Sequence, residues 1–327
     1  MHLMVIGAAG MVGRKFLEGV VTAGSLGGKA VTKATLTDVV APSAPAGATF
    51  PCQCSADDLA EPGVAERLVA TRPDTIIHLA AIVSGEAEAD FEKGYRINLD
   101  GTQRLFEAIR HVGDGYRPRV VFTSSIAVFG APFPEKIGDE FFHTPLTSYG
   151  TQKAIGELLL SDYSRRGFFD GIGIRLPTIV VRPGKPNKAA SGFFSGILRE
   201  PLSGLEAVLP VSEDVRHWVA SPRAAVHFVT HAATIDTGLL GARRNLTMPG
   251  LSITVGAMLE ALGRVAGPKA VALVKKQPDP VIMKIVEGWP RNFDPQRALS
   301  LGFRSEPDMD TIIRVHVDDE LGGKIGG

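Results

Sequence analysis

Leu3-Met4-Val5-Ile6-Gly7-Ala8-Ala9-Gly10-Met11-Val12-Gly13 joins a short apolar run to three glycines, and helical periodicity from Val12 to Ala23 follows directly. A strand that turns through glycine into a helix presents its first backbone amides and the positive helix end to solvent, a cradle for a pyrophosphate. Side chains at Gly7, Gly10 or Gly13 would block that approach, while Met11 and Val12 open the helix. The spacing is Gly-x-x-Gly-x-x-Gly rather than Gly-x-Gly-x-x-Gly. Glycines also mark ordinary turns, so the position straight after the first strand carries the reading.

Working outward, Ala34 to Thr37, Thr75 to Leu79, Val120 to Thr123 and Gly171 to Leu176 read as further strands bounded by turn residues. Helical segments fall between strands, at Val64 to Ala70, Asp90 to Val112 and Ser148 to Arg166. This rhythm predicts an α/β fold, a doubly wound parallel (Rossmann) sheet. Past Pro177 the alternation weakens. Glycine, proline and lysine crowd Pro183 to Lys188 before a helical stretch at Phe193 to Glu200; Pro222 to Ala233 then reads as helix and Arg244 to Met248 as strand. A smaller, discontinuous α/β C-terminal lobe is therefore expected, with 1–176 plus 217–248 binding the dinucleotide and 177–216 plus 249–327 binding substrate. The glycine-rich tail Gly322 to Gly327 reads as disordered.

The 327 residues carry 35 basic and 35 acidic side chains, a balance that argues against a nucleic-acid or anionic-membrane footprint and for a small-molecule partner. Cys52 and Cys54 are the only cysteines, with no second pair for zinc. They read as reduced thiols in the cytoplasm, and no metal site is expected. The apolar start lacks a charged leader and a cleavage site, and no stretch has about eighteen apolar residues in a row, so neither secretion nor a membrane span is expected.

Asp38 closes the second strand, at the interval where an acidic side chain holds the adenosine ribose hydroxyls and repels a ribose phosphate. Val39 and Val40 follow it, with no arginine, so NAD is favoured over NADP. Asp57 or Asp58, after the third strand, suits the adenine edge, with Asp58 and Leu59 preferred; both aspartates also suit helix N-caps. His78-Leu79-Ala80-Ala81 ends the fourth strand, where small residues at Ala80 and Ala81 let a cofactor lie against the sheet edge. His78 itself reads as a core histidine.

Tyr149-Gly150-Thr151-Gln152-Lys153 opens a helix, and the i, i+4 interval sets phenol and ammonium on one face. A free phenol, with a pKa near 10, is a poor base at neutral pH, but an adjacent ammonium favours the phenolate. Such a pair alone is commonplace. Its context is Phe122-Thr123-Ser124-Ser125, a strand ending in hydroxyls at the carboxyl edge, where Ser125 can hydrogen-bond a reacting oxygen. Asn98, on the preceding helix, is a candidate holder of a relay water.

The glycine pattern, Asp38, His78 to Ala81, Asn98, Ser125, and Tyr149 with Lys153 occur in an order that resembles the extended short-chain dehydrogenases of the NAD-dependent epimerase/dehydratase family, over nearly the whole chain. The resemblance implies that Tyr149 exchanges the proton, that Lys153 also holds the nicotinamide ribose, and that hydride moves between substrate carbon and nicotinamide C4. It also implies a homodimer, and it adds Leu79 and Pro177 to the cofactor contacts.

Members acting on nucleotide sugars carry Arg-x-x-Asn-x-x-Gly-Pro after the sixth strand. This chain has Thr178 where the asparagine belongs, in Arg175-Leu176-Pro177-Thr178, and Arg216-His217-Trp218 where Arg-Asp-aromatic is usual. The stretches Ala81 to Glu86, Asn98 to Thr102 and Arg199 to Leu202 resemble the D-erythronate dehydrogenase branch, which implies oxidation of the 2-hydroxyl of a four-carbon sugar acid. Arg182 and Arg216 are the candidate carboxylate anchors, because an arginine fork pairs with a carboxylate through two parallel bonds; either also suits a surface ion pair. Ser84 and Thr178 are candidates for substrate hydroxyls and suit cofactor contacts or plain turn positions equally well. The competing readings are a nucleotide-sugar epimerase or dehydratase using the same Tyr149 and Lys153, and a non-catalytic NAD-binding protein.

Overall fold

A computed structural model describes residues 1–184 and 191–326. The chain forms two compact units: Met1–Val128, Thr147–Arg175 and Val226–Thr247 make up the first, and Phe129–Leu146, Leu176–Ala225 and Met248–Gly327 the second.

The first unit holds a seven-stranded sheet of β1 (His2–Ile6), β2 (Lys33–Asp38), β3 (Cys52–Ala56), β4 (Thr75–His78), β5 (Arg119–Ser125), β6 (Asp170–Leu176) and β7 (Asn245–Thr247). Their spatial order is 7-6-5-4-1-2-3. Pairings are parallel: Leu3 of β1 lies beside Ala34 of β2 and Thr75 of β4, and Asn245 lies beside Gly173, so β7 returns the chain to the sheet. Order reverses next to β1, the switch point at which such sheets bind ligands beyond their carboxyl ends. Among its helices are α1 (Met11–Ala23), α2 (Val64–Val69), α3 (Gly101–Val112) and α4 (Ser148–Arg165). Met4, Ile6, Leu105, Phe106, Val120, Phe122 and Leu160 share one buried cluster, the apolar stripes of α3 and α4 closing over one face of the strands.

The helix expected over Asp90 to Val112 runs from Phe91 to Val112 with Asp90 as its cap, but its winding changes: Phe91–Gly94 passes into a π-helical stretch, Tyr95–Asp100, before α3 begins, and a separate helix, Ser84–Ala89, precedes it. A π-turn inserts an extra residue into the helical ladder and re-aims what it carries, here Asn98.

In the second unit, Arg216–Ala220 pairs parallel with Thr178–Ile179 and antiparallel with Leu251–Thr254. Helices Gly192–Leu202, Val255–Ala266 and Met309–Leu321 pack around a core that includes Phe194, Val219, Met258 and Ile313. Phe129–Leu146, assigned from sequence to the first domain, belongs to this unit. Ile137 pairs beside Phe293, and Phe129 packs on that same ring at 5.8 Å. The tail is placed rather than disordered as far as Gly326, whose amide donates to Leu202 O at 2.8 Å. Of the expected loop, Lys185 to Lys188 lie outside the described residues, as does Gly327.

Among the described residues no helix is long and apolar enough to cross a membrane, and no three His, Cys, Asp or Glu side chains cluster to hold a metal ion. Cys52 and Cys54 are both free thiols.

Candidate active site

At the end of β1 the chain turns at Gly7 with φ of +91°, and a Cβ there would sit 2.7 Å from Ala80 N. One at Gly13 would sit 2.4 Å from Gly7 O, so α1 seats against the turn only because both positions are bare. Gly10 caps α1 without a side-chain bond, and the first-turn amides of Met11, Val12 and Gly13 have no intrahelical acceptor. This cradle fits a pyrophosphate. Asp38, last residue of β2, accepts from Ala9 N at 3.0 Å through Oδ2 and from Val39 N at 2.8 Å through Oδ1, which ties the carboxylate to the glycine turn. Leu79 and Ala80 both donate to Ile6 O, and with Ala81 they stay partly exposed beside it.

Asp58 Oδ1 accepts from Ala60 N at 2.9 Å and its Oδ2 pairs with Arg96 at 2.8 Å. Leu59 is buried in the core cluster. Asp57 is taken up by Thr37, Ser55 and Arg67; burial works to raise its carboxyl, but those hydrogen bonds hold it below the usual range. Neither aspartate caps α2, whose N-cap is Gly63.

The chemistry-bearing side chains converge where β5 ends and α4 begins. The Thr147 hydroxyl caps α4 by accepting from Gly150 N at 3.0 Å. A Cβ at Gly150 would lie 2.1 Å from Ala127 O; that close approach brings Tyr149 beside the end of β5. Ser125, the last residue of β5, hydrogen-bonds the Tyr149 phenol. Burial pushes that phenol up to about 12, and the Ser125 bond works against the rise. Lys153 is 2% exposed, its ammonium 5.8 Å from the Tyr149 ring centre and donating to Thr123 O at 2.9 Å. Burial pushes Lys153 down to about 8, and the Glu157 carboxylate opposes this.

Two supporting residues escaped the sequence reading. Glu157, fully buried one turn beyond Lys153, takes the Arg175 guanidinium from β6, with Nη2 at 2.7 Å from Oε2, and also accepts from the Ser124 hydroxyl. Its signal was the continued four-residue spacing from Tyr149 through Lys153. Gln152 bonds Asn98, and nothing in its neighbours announces that. His78 is buried in the core, its ring nitrogen Nε2 2.9 Å from the Thr102 hydroxyl, and burial holds its pKa down at about 3.

Ser84 opens the helix Ser84–Ala89, partly exposed. Pro177, Thr178, Arg182 and Arg216 lie in the second unit. Thr178 is 2.6 Å from Nε2 of the buried His217, so its hydroxyl is already engaged. Arg182 is half-buried, with Ser191 Oγ at 3.3 Å and no carboxylate partner among the described residues. Burial, and then Arg199, push its pKa down. Arg216 is exposed on its strand and donates to Ser252 O at 3.2 Å.

Residues 3–238 match the NAD dependent epimerase/dehydratase family. The chain belongs to that family. Within it, the chain is 45% identical over 323 residues to a D-erythronate dehydrogenase of Cupriavidus necator, covering 98% of each. It is 39% identical to a D-erythronate dehydrogenase of Haemophilus influenzae, covering 98% of this chain and 100% of the relative. A crystal structure of a nucleoside-diphosphate-sugar epimerase from Agrobacterium tumefaciens matches with TM-score 0.97 and 66% identity, covering 99% of this chain and 95% of that one.

Proposed function

We propose that the protein oxidises the 2-hydroxyl of a short sugar acid, a D-erythronate-like four-carbon aldonate, to the 2-oxo acid, with NAD as acceptor. The observation that carries this reading is the intact Ser125, Tyr149 and Lys153 constellation in a chain that aligns nearly end to end with two D-erythronate dehydrogenases.

When bound, NAD supplies a hydride acceptor and a positively charged ring. The cradle of Gly7, Gly10, Met11, Val12 and Gly13 would hold its pyrophosphate and Asp38 its ribose, with Asp58 and Leu59 toward the adenine and Leu79, Ala80, Ala81 and Pro177 along its length. Ser125 hydrogen-bonds the reacting hydroxyl oxygen and Tyr149 takes its proton. With a phenol near 12 in the protein alone, Tyr149 needs added positive charge to act as base; the Lys153 ammonium stands 5.8 Å from its ring centre, and NAD when bound would add its charged ring. Asn98 remains the candidate holder of a relay water. Arg182 is the preferred carboxylate anchor, because its guanidinium pairs with no described carboxylate, and Arg216 is the second candidate. Ser84 completes the candidate substrate contacts, and Thr178 would join them by exchanging its His217 bond for a substrate hydroxyl.

A second reading, nucleoside-diphosphate-sugar epimerase, is the name of the Agrobacterium structure. Against it stands Thr178 in the place of the diphosphate-binding asparagine. The two readings differ in net chemistry, since an epimerase returns its cofactor unchanged. NADH accumulation from NAD with D-erythronate, in a panel of four-carbon aldonates, L-threonine and UDP-sugars, is the expected result. Silence toward every aldonate with turnover of a UDP-sugar would overturn it. The same reading carries a cytoplasmic homodimer, which size measurement and cell fractionation check.

A further inference from the structure

Asn98 is 1% exposed and its amide orientation is set by the main chain: Oδ1 accepts from Ile82 N at 2.9 Å, which makes Nδ2 the donor to Ile82 O at 3.3 Å and to Gln152 Oε1 at 2.8 Å. Gln152 is fully buried, and since its oxygen must accept from Asn98, its Nε2 is left as a donor with no partner among the described residues. That nitrogen lies 2.7 Å from where a Gly94 Cβ would stand, so the neighbouring helix is bare where the amide fits. An unpaired buried donor destabilises the fold, and an apolar side chain of the same volume would avoid that cost. A residue kept against its own stability points to a function. Gln152 directly precedes Lys153 on α4, whereas Asn98 rides on the π-turn, and their bond is a side-chain tie between the two elements.

We propose that Gln152 is a positioning residue for the reaction, clamping Asn98 and the Ile82 backbone to the helix that carries Tyr149 and Lys153. The proposal rests on the dehydrogenase reading for its kinetic readout but not for its structural one. Glutamine at this position trades stability for a fixed Asn98.

The test compares Gln152→Met and Gln152→Glu in the full-length holoenzyme with NAD. Gln152→Met removes the acceptor and the unpaired donor together: kcat is expected to fall about 10-fold or more, with KM and NAD affinity within about twofold and the melting temperature unchanged or higher. Gln152→Glu keeps the acceptor and is expected to recover kcat to within about threefold of wild type. A crystal structure of Gln152→Met with NAD should show the Asn98–Ile82 pair displaced from α4. Unchanged kcat with Asn98 and Ile82 in their wild-type positions overturns the proposal, as does a lowered melting temperature with full kcat in the folded fraction. A wild-type enzyme silent on every 2-hydroxy acid defeats the dehydrogenase reading instead, and the position of Asn98 in that crystal structure then decides the clamp alone.

Discussion

The ammonium of Lys153 donates to the main-chain oxygen of Thr123 at 2.9 Å, two residues before Ser125 on the same strand. One hydrogen bond thus fixes the register between the helix bearing Tyr149 and the strand end bearing Ser125, so the phenol and the hydroxyl meet at the carboxyl edge of the sheet.

If the Tyr149 phenol is the proton acceptor, Tyr149→Phe keeps its ring and loses only the acid–base group. Turnover should drop about 10²–10⁴-fold. NAD affinity, read by calorimetry, should stay within about twofold, because no part of the glycine cradle or Asp38 is altered. Unaffected turnover would place the proton elsewhere.

Lys153 carries a stability penalty. Its pKa is lowered in the folded protein from 10.5 to about 8, so between those values the unfolded chain binds more protons and stability rises with pH. Below about 8 the whole penalty is present, on the order of 3 kcal/mol by the standard conversion. Lys153→Met should therefore be inactive yet melt higher at neutral pH, by about 1–3 kcal/mol of stability once the lost Thr123 bond is counted. Denaturant titrations across alkaline pH should show the wild-type rise and not the variant's.

Asp38 joins the glycine turn through Ala9 and presents its carboxylate beside it. Asp38→Ser removes the group that repels a ribose phosphate and leaves a small hydroxyl. NAD affinity is expected to weaken about 10-fold while NADP binding improves, measured as the ratio of the two dissociation constants. An unchanged ratio would remove Asp38 from the cofactor site.

Arg182→Met preserves most of the buried stem and deletes the fork. With a carboxylate lost from its partner, KM for the acid should rise about 10- to 100-fold while NAD affinity holds. Should KM respond to Arg216→Met and not to this change, Arg216 is the anchor.

The sheet was legible because its central strand, Leu3 to Ile6, is buried on both faces and reads as an unbroken apolar run, and the neighbouring strands carry shorter apolar runs bounded by turn residues. The third strand, Cys52-Gln53-Cys54-Ser55-Ala56, lies at the sheet edge with little burial, so hydrophobicity left it without bounds and only the aspartates after it stood out. Asn98 could be read as a helix residue, but neither the π-turn that carries it nor its paired bonds to Ile82, sixteen positions away in sequence, has a local signal. The move of Phe129–Leu146 to the second unit depends on Phe293, more distant still. Tyr149, Lys153 and Ser125 were visible because their spacing is local and their strand and helix are regular. Glu157 and Gln152 act through partners on other elements, and no local pattern encodes those.

The most direct measurement uses D-erythronate carrying deuterium at C2, incubated with the enzyme and NAD. The account predicts NADH with one deuterium at nicotinamide C4 and a 2-oxo acid without the label. NADH free of deuterium, or no NADH while a UDP-sugar is interconverted, would contradict it.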